Sequence, residues 1–160
     1  MDVEDMSENE CLESLLPQAH PMILLSGYAR AENRGEIRSW VDIEPSSPFF
    51  DSTADGVPGC VALEYMAQTM ALYVGLARRS RGLGPKLGFV LGSRRLEIHI
   101  PFFMRGGRYH VRAVCTYQDE SFGSFDCVVS DSCGSAVATA QMTAFQPPGE
   151  VTQEVLEGFT

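Results

Sequence analysis

Glu64 is the single charged residue in the 21-residue run Val57–Ala77. A carboxyl in so apolar a setting is costly unless it is paired, protonated or useful. Carboxyls whose pKa values are raised in dry clefts are common catalytic acids, so general acid–base chemistry is the first function to weigh. The same residue also reads as a structural acid bonded to backbone. Gln68 lies one turn further along the same helix face, placed either to orient the Glu64 carboxyl or to cap a buried backbone group. A partner for proton transfer would be a histidine, and the chain has three, His20, His99 and His110. His99 and His110 fall inside alternating strand patterns, which points to structural or exposed roles. His20 falls in the loop segment Gln18-Ala19-His20-Pro21-Met22. The five cysteines, Cys11, Cys60, Cys115, Cys127 and Cys133, are scattered, with no Cys-x-x-Cys pair and no His at zinc spacing. Reduced thiols and no metal are therefore expected; Cys60 beside the helix start is a weaker candidate nucleophile.

The run that carries Glu64 reads as a helix from Pro58 or Gly59 to about Arg79, with Pro near its first turn and Arg at its last. Its length would span a bilayer. It nevertheless opens on Pro58-Gly59 and carries Glu64, Gln68, Thr69, Tyr65 and Tyr73. A buried central helix of a soluble fold is the simpler expectation, with no membrane span. Before it, Glu10–Leu16 reads as a short helix stopped by Pro17. Tyr28–Arg34 and Glu36–Ile43 read as strands about the turn Asn33-Arg34-Gly35. Residues 45–58 read as loop. After the helix, Leu87–Ile100, Arg108–Tyr117, Ser124–Ser130 and Ser135–Phe145 read as strands, and Pro147-Pro148 ends the sheet. The order gives an α+β plan, an antiparallel sheet covering one long helix.

The net charge of −9 argues against nucleic acid as a partner. Six acids and no base occupy the first 13 residues, so no secretory signal is expected there and cytoplasmic residence follows. The expected organisation is a disordered acidic terminus over residues 1–8, one domain over 9–148 and an acidic tail over 149–160. Nine of the twelve bases lie between Arg78 and Arg112. The densest group, Arg78, Arg79, Arg81, Lys86, Arg94 and Arg95, reads either as a solvated face or as a docking patch for an acidic partner.

Three segments together resemble the β-hydroxyacyl-acyl-carrier-protein dehydratases. They are Leu15–Leu25, with its Leu-Pro-Gln-Ala-His-Pro-Met core; Pro48–Gln68, with Pro-Phe-Phe, Val-Pro-Gly and Glu-Tyr-Met-Ala-Gln; and the strand–Pro–Gly region Gly88–Val111. A closer likeness is to the divergent branch found in aryl-polyene and xanthomonadin-type pigment clusters, where a C-terminal Phe-Gln-Pro also recurs, here Phe145-Gln146-Pro147. The resemblance implies a hotdog fold, a sheet wrapped around one helix. It implies loss of water from a 3-hydroxyacyl thioester on acyl carrier protein, in polyene or fatty-acid-type synthesis, with no organic cofactor. It implies a homodimer, or a heterodimer with another hotdog subunit.

By the same resemblance the acid is Glu64, with Gln68 orienting it. The donors to the thioester carbonyl are backbone N–H groups near Gly59 and Cys60, at the helix N-terminus. His20 is the candidate base. The common family's His-Phe-Pro-Gly sequence before the helix is absent, and Phe50–Asp55 stands there instead. Position 18 is Gln where the family usually has His, and Ser26 stands where an Asp often follows. Two other readings compete: an accessory hotdog subunit that supports a catalytic partner, and a hotdog thioesterase using the helix acid to activate water.

Overall fold

A computed structural model describes residues 11–149. The acidic segment expected at residues 1–8 and the tail from residue 150 lie outside those described residues. In chain order the elements are helix α1 (Leu12–Leu15), strands β1 (Gly27–Arg30), β2 (Glu36–Asp42) and β3 (Gly56–Pro58), a single 3-10 turn (Gly59–Val61), helix α2 (Ala62–Arg79), and strands β4 (Phe89–Ile98), β5 (Phe102–Met104), β6 (Arg108–Gln118), β7 (Phe122–Ser130) and β8 (Ala136–Phe145). Six strands form one antiparallel sheet in the order β1-β2-β6-β7-β8-β4. The sheet wraps α2, as expected for the hotdog fold.

Alternation explains the central strands. Ile37, Ser39 and Val41 on β2 point inward, as do Tyr109, Val111 and Ala113 on β6 and Phe125, Cys127 and Val129 on β7. The hairpins close on side chains suited to turns. Asp119 Oδ1 accepts the Ser121 and Phe122 N–H groups, and Asp131 Oδ1 accepts those of Cys133 and Ser135. Helix α2 turns Tyr65, Met66, Thr69 and Leu72 into the core. A buried polar link between Thr69 and Ser39 helps tie it to the sheet. Thr69 Oγ1 donates to the Tyr65 carbonyl at 2.7 Å, so the Ser39 hydroxyl, 2.7 Å away, is the donor in the Ser39–Thr69 bond.

Two features depart from the sequence reading. Residues 45–58 are not all loop: β3 pairs with β5 in a separate ribbon, Val57 opposite Phe103. Phe103 is fully buried and stacks edge-on against Tyr65 and Tyr109, with ring centroids 5.2 and 4.8 Å apart. Strand β4 lacks the one-faced burial that its alternating Leu96, Ile98 and Ile100 suggested. It is the last strand of the sheet and is exposed along nearly its whole length. Among the described residues no strand pairs with its outer edge, so alternation there does not translate into burial.

The helix expected from Pro58 or Gly59 begins as the 3-10 turn and becomes α-helical at Ala62. Gly59 is required there: a Cβ would sit 2.3 Å from the Ile100 carbonyl oxygen. By length and composition Gly59–Arg79 would pass for a membrane span; in the fold it is the helix that the sheet encloses.

Candidate active site

Gln68 organises the site. It is fully buried on α2, and both ends of its amide are bonded. Its Oε1 accepts the Leu24 N–H at 2.9 Å. Its Nε2 donates to the Met22 carbonyl at 2.7 Å and to Glu64 Oε1 at 2.9 Å. The two roles weighed for Gln68 are therefore both filled: it orients the Glu64 carboxyl and satisfies buried backbone. The consequence is positional. The segment from Met22 to Leu25, whose Ile23, Leu24 and Leu25 are buried, is pinned to the same helix face as Glu64. Helix α1 adds a second anchor. Leu15 and Leu16 are buried, and Gly75 of α2 lies so close that a Cβ would meet the Leu15 carbonyl oxygen at 2.2 Å.

Between these anchors runs the chain from Pro17 to Pro21. It divides its polar side chains between two environments. Gln18 borders a cavity of about 380 Å³ that Glu64 also borders. His20 does not border it. Its Nε2 lies 2.9 Å from Glu13 Oε1, with the imidazole 61% exposed. The structure thus brings Glu64, Gln68 and Gln18 together and leaves His20 outside. His99 is exposed beside Glu97 and His110 is exposed on β6, so no histidine borders the cavity among the described residues.

The cavity follows one stripe of α2. Glu64, Ala67, Ala71 and Val74 line it, a spacing that keeps them on one helix face over about 15 Å. The opposite wall is aromatic: Phe89 of β4, Phe122 and Phe125 of β7, and Phe145 of β8. Small residues on the helix and rings on the sheet leave an apolar slot with a carboxyl at one part of its wall. Glu64 itself is half-buried, less enclosed than its apolar run suggested, because the slot opens beside it. The four phenylalanines were not singled out from the sequence. Only Phe125 falls on an inward-alternating face; Phe89, Phe122 and Phe145 lie at strand ends, where local pattern does not show that they line a void.

The remaining expected residues separate. The Gly59 N–H already donates to the Pro101 carbonyl at 2.8 Å, so it is not free to bind a ligand, while Cys60 is exposed in the 3-10 turn. Of the cations, Lys86 borders the cavity, and Arg78, Arg79 and Arg81 stand at the C-terminal end of α2, where positive charge complements the helix dipole. Arg78 Nε donates to the Gly84 carbonyl at 2.7 Å. Arg94 and Arg95 are carried on β4, Arg95 beside Asp126 and Gln141. The buried Cys127 thiol is pushed up to about 12 by desolvation, which makes it inert. Among the described residues, no cluster of three or more His, Cys, Asp or Glu is arranged to hold a metal.

A family model described as ApeP-like, ApeP dehydratase, matches residues 10–157. Among solved structures, the dehydratase heterocomplex ApeI:P from Xenorhabdus doucetiae superimposes with a TM-score of 0.82 at 27% identity, covering 92% of this chain and 95% of that one. A hypothetical thioesterase with coenzyme A from Streptococcus pneumoniae TIGR4 has a TM-score of 0.57 at 15% identity, covering 80% and 91%. The E. coli PaaI protein from the phenylacetic acid degradation operon has a TM-score of 0.56 at 12% identity, covering 74% and 80%. The last two likenesses show the hotdog fold alone. No curated protein matches the chain.

Proposed function

The chain belongs to the ApeP-like dehydratase family, and from that premise we propose that it works in the cytoplasm as one subunit of a two-hotdog dehydratase. Its substrate is a 3-hydroxyacyl thioester on acyl carrier protein, in polyene or fatty-acid-type synthesis. The observation that carries this reading is Glu64 at the wall of an apolar slot, with its Oε1 held by Gln68. In the elimination the Cα–H bond breaks, its electron pair forms the Cα=Cβ double bond, and the Cβ–O bond breaks. The departing hydroxyl takes a proton and leaves as water. Glu64 supplies that proton. Since Oε1 accepts the Gln68 N–H, the transferable proton belongs on Oε2. The Cys60 N–H is left as the backbone donor for the thioester carbonyl, because that of Gly59 is engaged with Pro101.

The α-proton needs a base. His20, the residue expected for it, is paired with Glu13 outside the slot, so the base comes from the second subunit. Strand β4 supports such a partner. It is a ten-residue sheet edge carrying exposed Val90, Leu91 and Leu96, a surface that isolated proteins avoid leaving bare. Phe89 and Val90 of that edge also border the slot, so a subunit docked there would close over it. The Xenorhabdus relative is itself a heterocomplex. Arg78, Arg79, Arg81, Lys86, Arg94 and Arg95 would receive the acidic carrier protein around this opening.

The test is mass spectrometry of 3-hydroxyacyl-acyl carrier protein incubated with the chain alone and with its co-expressed hotdog partner. Loss of one water only in the complex, abolished by Glu64→Gln and unaffected by His20→Ala, is the expected result. Full turnover by a complex carrying Glu64→Gln refutes the role of Glu64, and release of free acid would identify a thioesterase instead.

A further inference from the structure

We infer that Gln146 is a positioning residue that sets the preference of the slot for long acyl chains; the inference rests on the reading of the slot as a thioester site. The slot has a near end at Glu64 and a far end toward the close of α2. Gly59, five residues before Glu64, lies against Ile98 at the end of β4, whereas Tyr73, nine residues after it, meets the Phe125 ring at 5.4 Å. The far end is therefore built on the start of β4, the end of β8 and the β6–β7 hairpin. There Phe145 pairs with Phe89 on one side and Phe122 on the other, and the Phe122 and Phe145 rings are 5.2 Å apart. Gln146 follows that rung and borders the slot.

Gln146 joins two walls of different firmness. Its N–H donates to the Ser121 carbonyl at 2.6 Å, in a hairpin already fixed by Asp119. Its side-chain Nε2 donates to the Lys86 carbonyl at 3.2 Å, in the connection from α2 to β4. That connection carries Gly82 and Gly84, where an added Cβ would meet nothing within 4 Å, and Leu83 between them is exposed. Arg78 holds its Gly84 carbonyl from the helix side, and Gln146 holds its Lys86 carbonyl from the slot side. A glycine-rich segment with little packing has much conformational freedom to lose. Ordering it only when a ligand arrives would subtract from affinity, whereas holding it beforehand keeps the full gain from burying an apolar chain. Lys86 and Ser121 both line the slot, so this one residue fixes the distance between its far walls. A long acyl chain that follows the helix stripe from Ala67 to Val74 meets those walls; a short one ends before them.

The experiment measures, by calorimetry on the full chain, the binding of two unreactive pantetheine thioethers, one with a tetradecyl and one with a butyl chain. Gln146→Met keeps the length of the side chain and removes the donor to Lys86. Loss of one hydrogen bond that orders the wall predicts about fivefold weaker binding of the tetradecyl ligand, with the butyl ligand within about twofold of wild type. Gln146→Ala is expected to give the same split, and it serves alone if Gln146→Met fails to fold, as judged by circular dichroism. Equal weakening of both ligands would mean that Gln146 supports the fold and not the far walls, and it overturns the inference. Unchanged binding of the tetradecyl ligand overturns it too; both results leave the slot as a thioester site. Failure of either ligand to bind the wild-type chain overturns the thioester reading of the slot and the inference with it.

Discussion

Replacing Gln68 by methionine isolates the contact that holds the site together. The side chain is fully buried and makes three hydrogen bonds, to the Leu24 N–H, the Met22 carbonyl and Glu64 Oε1. Methionine fills much the same volume and makes none of them. The Leu24 N–H and the Met22 carbonyl would then lose their amide partner, and each unmet buried group costs about 1–3 kcal/mol. Some relaxation of the segment around Met22 reduces the sum, so a loss of about 2–4 kcal/mol is expected. At about 2–4 °C per kcal/mol for a domain of this size, Tm falls by roughly 5–15 °C. Urea unfolding measures the loss directly, as a lower midpoint at unchanged slope. Gln68→Glu separates stability from catalysis. It keeps an acceptor for Leu24 but removes the donor to Glu64 and sets a second carboxyl beside it, which raises the pKa of the pair. The expected result is a dehydration rate that falls further than stability does. A loss under about 0.5 kcal/mol in Gln68→Met, within the range of an ordinary surface change, would refute the claim that Gln68 pins the segment to the helix.

Glu36 links stability to pH. Hydrogen bonds from Arg112 and then Arg38 hold its carboxyl down at about 2, below its ordinary 4.5. Its stabilisation is therefore complete above the ordinary value and is lost as pH falls toward 2. Urea midpoints measured across that window should decline in the wild type and flatten in Glu36→Gln; equal slopes would show that the ion pairs do not contribute. Ala71 lines the slot seven residues beyond Glu64, about 10 Å along the helix. Ala71→Phe should abolish turnover of acyl chains that reach past that point while leaving shorter ones within about twofold, measured as kcat/KM across a chain-length series. Val90→Asp places a charge on the exposed β4 edge. Native mass spectrometry should show the two-hotdog assembly dissociate, with the melting temperature of the isolated chain unchanged.

Much of the architecture was legible because it is written in near neighbours. The 18-residue α2, the turn at Gly35 and the strands β2, β6, β7 and β8 all follow from spacing within a few residues, and their bounds differ from the sequence reading by only a few positions. The family was legible for the same reason: its motifs are short runs in order. The β3–β5 ribbon was not, because strands of three residues are too short to show alternation. The exposure of β4 was not, because position in the sheet order, not local pattern, decides whether a face is covered.

At the site, the sequence alone determined that Glu64 and Gln68 share one face of one apolar helix. Helical geometry places residues four apart together whatever the rest of the chain does. Tertiary structure decided which side chain of the Gln18–His20 segment enters the cavity. That outcome depends on Gln68 binding Leu24, 44 positions away in the chain, and on Glu13 drawing His20 outward. It also engaged the Gly59 N–H with Pro101 and divided the cations between the end of α2 and the sheet edge. A residue's type and its neighbours set what chemistry it can do. Which space it faces is set by contacts with residues far away in the chain, and no local pattern records those.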